Sequence, residues 1–276
     1  MSTNTIVVRC PRCGAMDVEV AEQVGIEFDR MRCRRCEHSQ ICDEQQIKDE
    51  WNELVPPDVV PSDEQWTLLP SVRFADLWSS LGARGSCHET LHRIRRAYGE
   101  PHRAYHGARH ISACLRLVDD LDVKRRSTRL AEVEAAIWWH DLVYDTRAKD
   151  NEERSAEDAI ATLAGARVSD DVVDRIASHI LATKKHESSE SDGGLVIDID
   201  LSILAESEAS YARFEEEIRR EYAWVDAASY AAGRVAVLRH FLERPHVYTT
   251  PFFQEQWDAR ARANVERAIR SLAPMS

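Results

Sequence analysis

Three short motifs, set far apart in this chain, constrain its fold more than any other feature: Tyr105-His106-Gly107-Ala108-Arg109-His110, His140-Asp141 and Asp198-Ile199-Asp200. Imidazoles and carboxylates brought together from separate helices make a divalent-metal site able to activate water. A fold that uses them must bring three distant segments to one point.

The text around these motifs has helical period from Ser71 onward. Ile111, Leu115 and Val118 share one face of a helix starting near His106, and Val133, Ile137 and Trp138 mark a second that runs from about Thr128 to His140-Asp141. Further helices are expected at about 151–163, 169–184, 208–224, 227–242 and 254–272. Ser86-Cys87-His88-Glu89 has the pattern of a capping box, and Tyr98-Gly99 closes the helix it opens. Gly193-Gly194-Leu195-Val196-Ile197 reads as a strand or, preferably, as the entry to a short helix carrying Asp198 and Asp200. The polar stretch 187–194 before it reads as a mobile loop. The body is expected to be all-α. His106 and His110, four apart, are expected on one helix face, with Cβ atoms about 5–6 Å apart.

The N-terminal segment differs. Cys10-Pro11-Arg12-Cys13 and Cys33-Arg34-Arg35-Cys36 form a CxxC…CxxC set with spacing suited to a four-thiolate structural zinc site. The ion would replace a core that about fifty residues cannot build. The segment resembles a zinc ribbon, similar to small phage-type ribbons related to restriction-alleviation proteins, which implies contact with nucleic acid or protein. Arg30, Arg32, Arg34 and Arg35 supply a basic edge for it, and a solvated structural face is the alternative. Prolines at 56, 57 and 61 remove backbone donors and stiffen the following stretch. The expected organisation is a β-rich zinc ribbon over 1–54, a linker over 55–70 and a helical domain over 71–276.

A net charge of −12 disfavours broad affinity for nucleic acid or anionic lipid. No apolar stretch approaches the roughly 18 residues that span a bilayer. With no basic n-region at Met1-Ser2-Thr3-Asn4-Thr5, no secretory signal is expected and the chain reads as cytoplasmic, with its seven cysteines reduced or metal-bound.

His140-Asp141 follows the apolar run Ala135-Ala136-Ile137-Trp138-Trp139, which predicts that the pair sits at the buried end of a core helix. Buried charge needs a partner, and a divalent cation is an effective one. At this point the chain resembles the HD superfamily of metal-dependent phosphohydrolases, with its H…HD…D signature. It is similar within that superfamily to a subgroup of small bacterial hydrolases, through Glu100-Pro101-His102-Arg103-Ala104-Tyr105-His106, Asp150-Asn151-Glu152-Glu153-Arg154-Ser155-Ala156, Thr183-Lys184-Lys185-His186 and Asp198-Ile199-Asp200-Leu201-Ser202-Ile203-Leu204. The likeness runs from about Phe74 to Asn264.

The resemblance implies His110, His140, Asp141 and Asp200 as primary ligands, with Asp198 an N-cap or outer acceptor. It implies His106 as the general acid that protonates the leaving oxygen. Glu152 and His186 fall where relatives with two metals place extra ligands or catalytic groups. Their structural alternatives are a helix N-terminal carboxylate and a surface histidine. Arg103, Arg109 and Lys184 are candidates to hold phosphate oxygens, with surface positions as the alternative. Arg219, Tyr222 and Arg234 match the subgroup pattern without an assigned role.

The expected activity is hydrolysis of a phosphate ester, of a nucleotide by preference, with one or two ions of Mn, Mg, Co, Ni, Fe or Zn. Two rivals stand beside it. One is a di-iron oxygenase built on the same ligands, and the other a nucleotide-sensing regulator that docks through the ribbon.

Overall fold

The computed structural model describes the backbone of residues 18–23, 28–33 and 39–43, and residues 68–272 in full. The first three segments pair as an antiparallel sheet in the order β1 (Val18–Gln23), β2 (Phe28–Cys33), β3 (Ser39–Asp43). Val18 lies opposite Cys33 and Phe28 opposite Asp43, with an irregularity between Val20 and Glu22. Cys10, Cys13 and Cys36 lie outside the described residues, and Cys33 is described only as the backbone end of β2. The expected four-thiolate zinc site and most of the expected proline-containing linker therefore fall outside what is described.

Residues 68–272 form a helical body: α1 (Ser71–Ser80), α2 (His88–Ala97), α3 (Ala108–Asp119), α4 (Leu121–Lys124), α5 (Leu130–Trp139), α6 (Asn151–Gly165), α7 (Asp170–Lys185), α8 (Ser191–Asp200), a 3-10 turn (Leu201–Ala205), α9 (Glu208–Glu221), α10 (Ala227–Glu243) and α11 (Pro251–Leu272). No strand occurs among residues 68–272, and among the described residues no helix is long and apolar enough to cross a membrane. Leu69, placed by the sequence in the linker, is fully buried, and its carbonyl accepts from Arg95 Nε at 3.0 Å, so the helical body begins before residue 71.

The centre is α5. Val133 and Ala135 through Trp139 are all buried, as expected of a helix apolar on every side. Helices α3, α7 and α8 pack around it, and Phe74 of α1 meets Trp138 edge-on at 5.0 Å. α3 offers it a single stripe, with Ile111, Cys114, Leu115 and Val118 at spacings of three and four. α6 lies against α7, and α11 packs on α10 and the 3-10 turn.

Three local expectations need correction. α2 starts at His88 with Cys87 as its N-cap and no side-chain cap; Ser86 Oγ instead accepts from His88 N at 3.2 Å, so the capping box does not form. α8 begins at Ser191, which brings Gly193 and Gly194 inside the helix and shortens the polar loop. A Cβ at Gly194 would stand 2.9 Å from Thr249 Cγ2, and one at Gly193 would stand 2.4 Å from Ser188 Oγ, so both positions serve close packing. Third, α3 starts at Ala108, so His106 precedes the helix that carries His110, and the two do not share a helix face.

Candidate metal centre

Four side chains that the sequence singled out meet at one place. His110 stands in the first turn of α3, His140 is the C-cap of α5, Asp141 follows it, and Asp200 ends α8. One donor atom from each lies within 4.8 Å of the others. His110 Nε2 is 3.2 Å from His140 Nε2 and 3.2 Å from Asp200 Oδ1. His140 Nε2 is 3.0 Å from Asp141 Oδ2 and 3.5 Å from Asp200 Oδ1, and His110 Nε2 is 3.6 Å from Asp141 Oδ2.

These separations suit a cation. Ligands held at about 2.1 Å around a tetrahedral ion stand about 3.4 Å apart, close to the spacing found. The atoms are also poorly served by one another. Asp141 Oδ2 is buried and, though close to His140 Nε2, meets no donor in hydrogen-bonding alignment. His140 Nδ1 is 3.0 Å from the Ile137 carbonyl, a contact only an N–H can make, which leaves Nε2 of the neutral ring as a lone pair aimed at the cluster. Outside the cluster, the Cys114 thiol lies 3.8 Å from both His110 Nδ1 and the Ile199 carbonyl, and burial pushes its pKa well up, keeping it neutral.

Without a cation the group balances its own charge. Burial works against ionisation of His140, but Asp141 and Asp200 more than reverse it and lift its pKa well above the ordinary imidazole value. Burial likewise opposes ionisation of both carboxylates. His140 and His106 for Asp141, and His110 and His140 for Asp200, hold them below the usual carboxylate range.

Beside the cluster lies an acid–base pair. His106 Nδ1 is 2.7 Å from Glu221 Oε2, which also accepts from Tyr144 Oη at 2.7 Å. The other oxygen, Oε1, accepts from the backbone N–H groups of Tyr105 and His106 at 2.7 and 3.0 Å. The Glu221 side chain is 0% exposed. Burial would raise its pKa, yet the bonds and charge of His106, with Tyr144 and the backbone, bring it down to about 2. His106 is raised in turn, because Asp141 and Glu221 outweigh its desolvation. With Nδ1 committed to Glu221, His106 has Nε2 to offer the cavity. The sequence reading assigns Glu221 and Tyr144 no part in the site. Glu221 lies 115 residues from His106, and nothing in local sequence spacing signals the pairing.

His106, Asp141 and Asp200 open on a cavity of about 680 Å³. Glu152, Lys184 and His186 line it as well. Glu152 is half-buried in the first turn of α6, and burial pushes its carboxyl up. Lys184 donates to the Lys149 carbonyl at 2.6 Å and pairs with Glu153. His186 is the C-cap of α7 at φ 52°, a left-handed conformation that side chains rarely adopt. Its ring packs on Phe241 at 5.4 Å, and burial lowers its pKa. It shares the cavity but stands outside the four-residue set.

Two phosphate-holding candidates point elsewhere. Arg103 has a side chain 1% exposed, and its guanidinium is spent on Glu100 and the carbonyls of His106, Asp141 and Leu142 at 2.6–3.2 Å. It is a brace that ties the His106 turn to the Asp141 turn. Arg109, 60% exposed, bonds Ala104 O and Glu217, and lines a smaller depression instead of the cavity. Arg109 directly precedes His110 in sequence and Arg103 lies three residues before His106, yet neither side chain faces the cavity.

Asp198 is no ligand. Its oxygens accept from Thr249 N at 2.6 Å and from Thr250 N and Oγ1 at 2.7 and 2.5 Å, so it anchors the entry to α11. Burial outweighs those bonds and raises its pKa to about 6. Arg219 is occupied by the Tyr222 and Val225 carbonyls and Arg234 by both oxygens of Glu215, while Tyr222 does line the cavity. No family model, curated protein or solved structure matches this chain.

Proposed function

We propose that this chain is a metal-dependent phosphohydrolase of the HD type, which cleaves a phosphate ester by attack of water. One observation carries the reading: two imidazole nitrogens and two carboxylate oxygens from three helix ends converge beside a cavity, at spacings that fit one divalent ion. The candidates remain Mn, Mg, Co, Ni, Fe and Zn. Such an ion supplies Lewis acidity, lowering the pKa of a water and polarising a phosphoryl oxygen.

The chain's own groups do the rest. His106, held as the imidazolium by Glu221, gives the Nε2 proton to the leaving oxygen as the phosphorus–oxygen bond breaks. Tyr144 and two backbone N–H groups keep Glu221 ionised and the ring oriented. Glu152 is the second acid–base group on the wall. Lys184 lies within the same wall to meet a non-bridging oxygen. The N-terminal cysteines are proposed to hold a structural zinc, and the segment to contact nucleic acid or protein.

The test is a screen of phosphomonoesters, nucleotides and cyclic dinucleotides with each divalent metal. Turnover is expected, and His140→Ala and Asp141→Ala are expected to bring it to background in folded protein. Inactivity of metal-loaded protein on every ester would overturn the reading. Oxygen uptake by the iron form would favour the oxygenase rival.

A further inference from the structure

The cavity has two unlike walls. Asp141, Asp200, His106, Glu152 and Lys184 line it near the metal cluster; Leu204, Phe214, Ile218, Val225, Val237 and Phe241 line it from the 3-10 turn, α9, α10 and the turn between them. The Tyr105 ring joins the two, 4.8 Å from the His110 ring and 4.5 Å from Phe214. The apolar side begins next to the metal, since Leu201 directly follows Asp200 and also lines the cavity.

Polar groups on that wall are few: Tyr222, Ser229, Tyr230 and Arg234. Its one guanidinium, Arg234, is bound by both oxygens of Glu215 at 2.8–2.9 Å, and it covers Phe214 at 5.3 Å. Tyr230 also lines the cavity, and its Oη is buried without a hydrogen-bond partner. A sugar or base edge placed there would lose its water and find few partners, a heavy penalty for each group. Apolar surface placed there gains with every carbon removed from water.

We infer that the ester's organic part is apolar: the cavity takes a phosphate monoester of a hydrophobic alcohol, phosphate against the metal ligands and carbon chain along the α9–α10 wall. The catalytic half rests on the hydrolase reading; the ligand class rests on the wall alone.

Full-length, metal-loaded protein is titrated calorimetrically with non-hydrolysable n-alkyl phosphonates from methyl to octyl and with a nucleoside phosphonate, and the matching phosphate monoesters are assayed for turnover. Affinity is expected to rise about three- to fourfold per methylene. kcat/KM should follow it, and the nucleoside phosphonate should bind no better than the ethyl compound. Val237→Asp, at a half-exposed position on the wall, is expected to flatten the series, whereas Val72→Asp, exposed on α1 away from the cavity, should leave its slope in place. Flat affinities, absence of binding, or a nucleoside phosphonate tighter than octyl would overturn the inference. A rising series without turnover of any ester keeps the ligand class and removes the hydrolase reading.

Discussion

Glu221 accepts four hydrogen bonds while its side chain is wholly buried, so its charge is stable only because His106, Tyr144 and two amides face it. The linkage signs are opposite for the two partners. The depressed Glu221 pKa contributes stability present above about 4.5 and lost as pH falls through about 2. The raised His106 pKa contributes stability present below 6.5 and lost as pH rises through its folded value. Glu221→Gln should therefore lower stability most between those limits, by roughly 3 kcal/mol, and thermal melts across pH would reveal a flattened profile. If His106 is the general acid, the same substitution also moves the alkaline fall in kcat/KM to lower pH. Arg103→Lys cannot reproduce a fork onto three carbonyls and one carboxylate. It should cost about 3 kcal/mol and displace both His106 and Asp141; denaturant unfolding with wild-type midpoint would count against the brace. His110, His140, Asp141 and Asp200 were readable because ligand chemistry is written in residue type and buried sequence context. Glu221 was not, because its role depends on a partner more than a hundred residues away. Arg103 and Arg109 were misread because a neighbour in sequence does not share a direction in space.

Helix α8 shows how an element sets the position of a candidate ligand. Its buried run Leu195–Ile199 fixes the helix in the core, so Asp200 at its end emerges at the cavity, while Asp198, two residues earlier, turns to Thr249 and Thr250. Gly194 permits this seating, with Thr249 against the place a Cβ would take. Gly194→Ala should push α8 from α11's entry and destabilise the fold by about 1–3 kcal/mol, with weakened metal affinity as Asp200 moves. Asp198→Asn is expected to lose about 1 kcal/mol of the anchor yet retain the metal, read by metal analysis of the purified variant. A metal-free Asp198→Asn protein that remains folded would contradict the assignment of Asp200 as the ligand. A helix with one apolar face was legible from apolar period, as α3 attests, and α5 from its continuous apolar run. The start of α8 was not, because two glycines inside a helix read locally as a loop, and only the packing of residues 188 and 249 against them explains their presence.

At the scale of the whole molecule, the four donor groups span residues 110 to 200, so they are neighbours only in the folded chain. Any ion they hold binds the native state in preference to the unfolded one and stabilises it by mass action. At a free concentration one hundred times its dissociation constant, this is about 2.7 kcal/mol, or roughly 5–10 °C in Tm for a body of this size. Mn²⁺ is the useful probe, because it prefers oxygen and nitrogen donors and leaves the N-terminal thiolates aside. Melting followed by far-UV circular dichroism, with and without Mn²⁺, should show the shift in the wild type, and Asp200→Asn should abolish most of it because a quarter of the ligand set is gone. A variant that kept the full shift would place the stabilising ion elsewhere, and with it the chemistry proposed for the cavity.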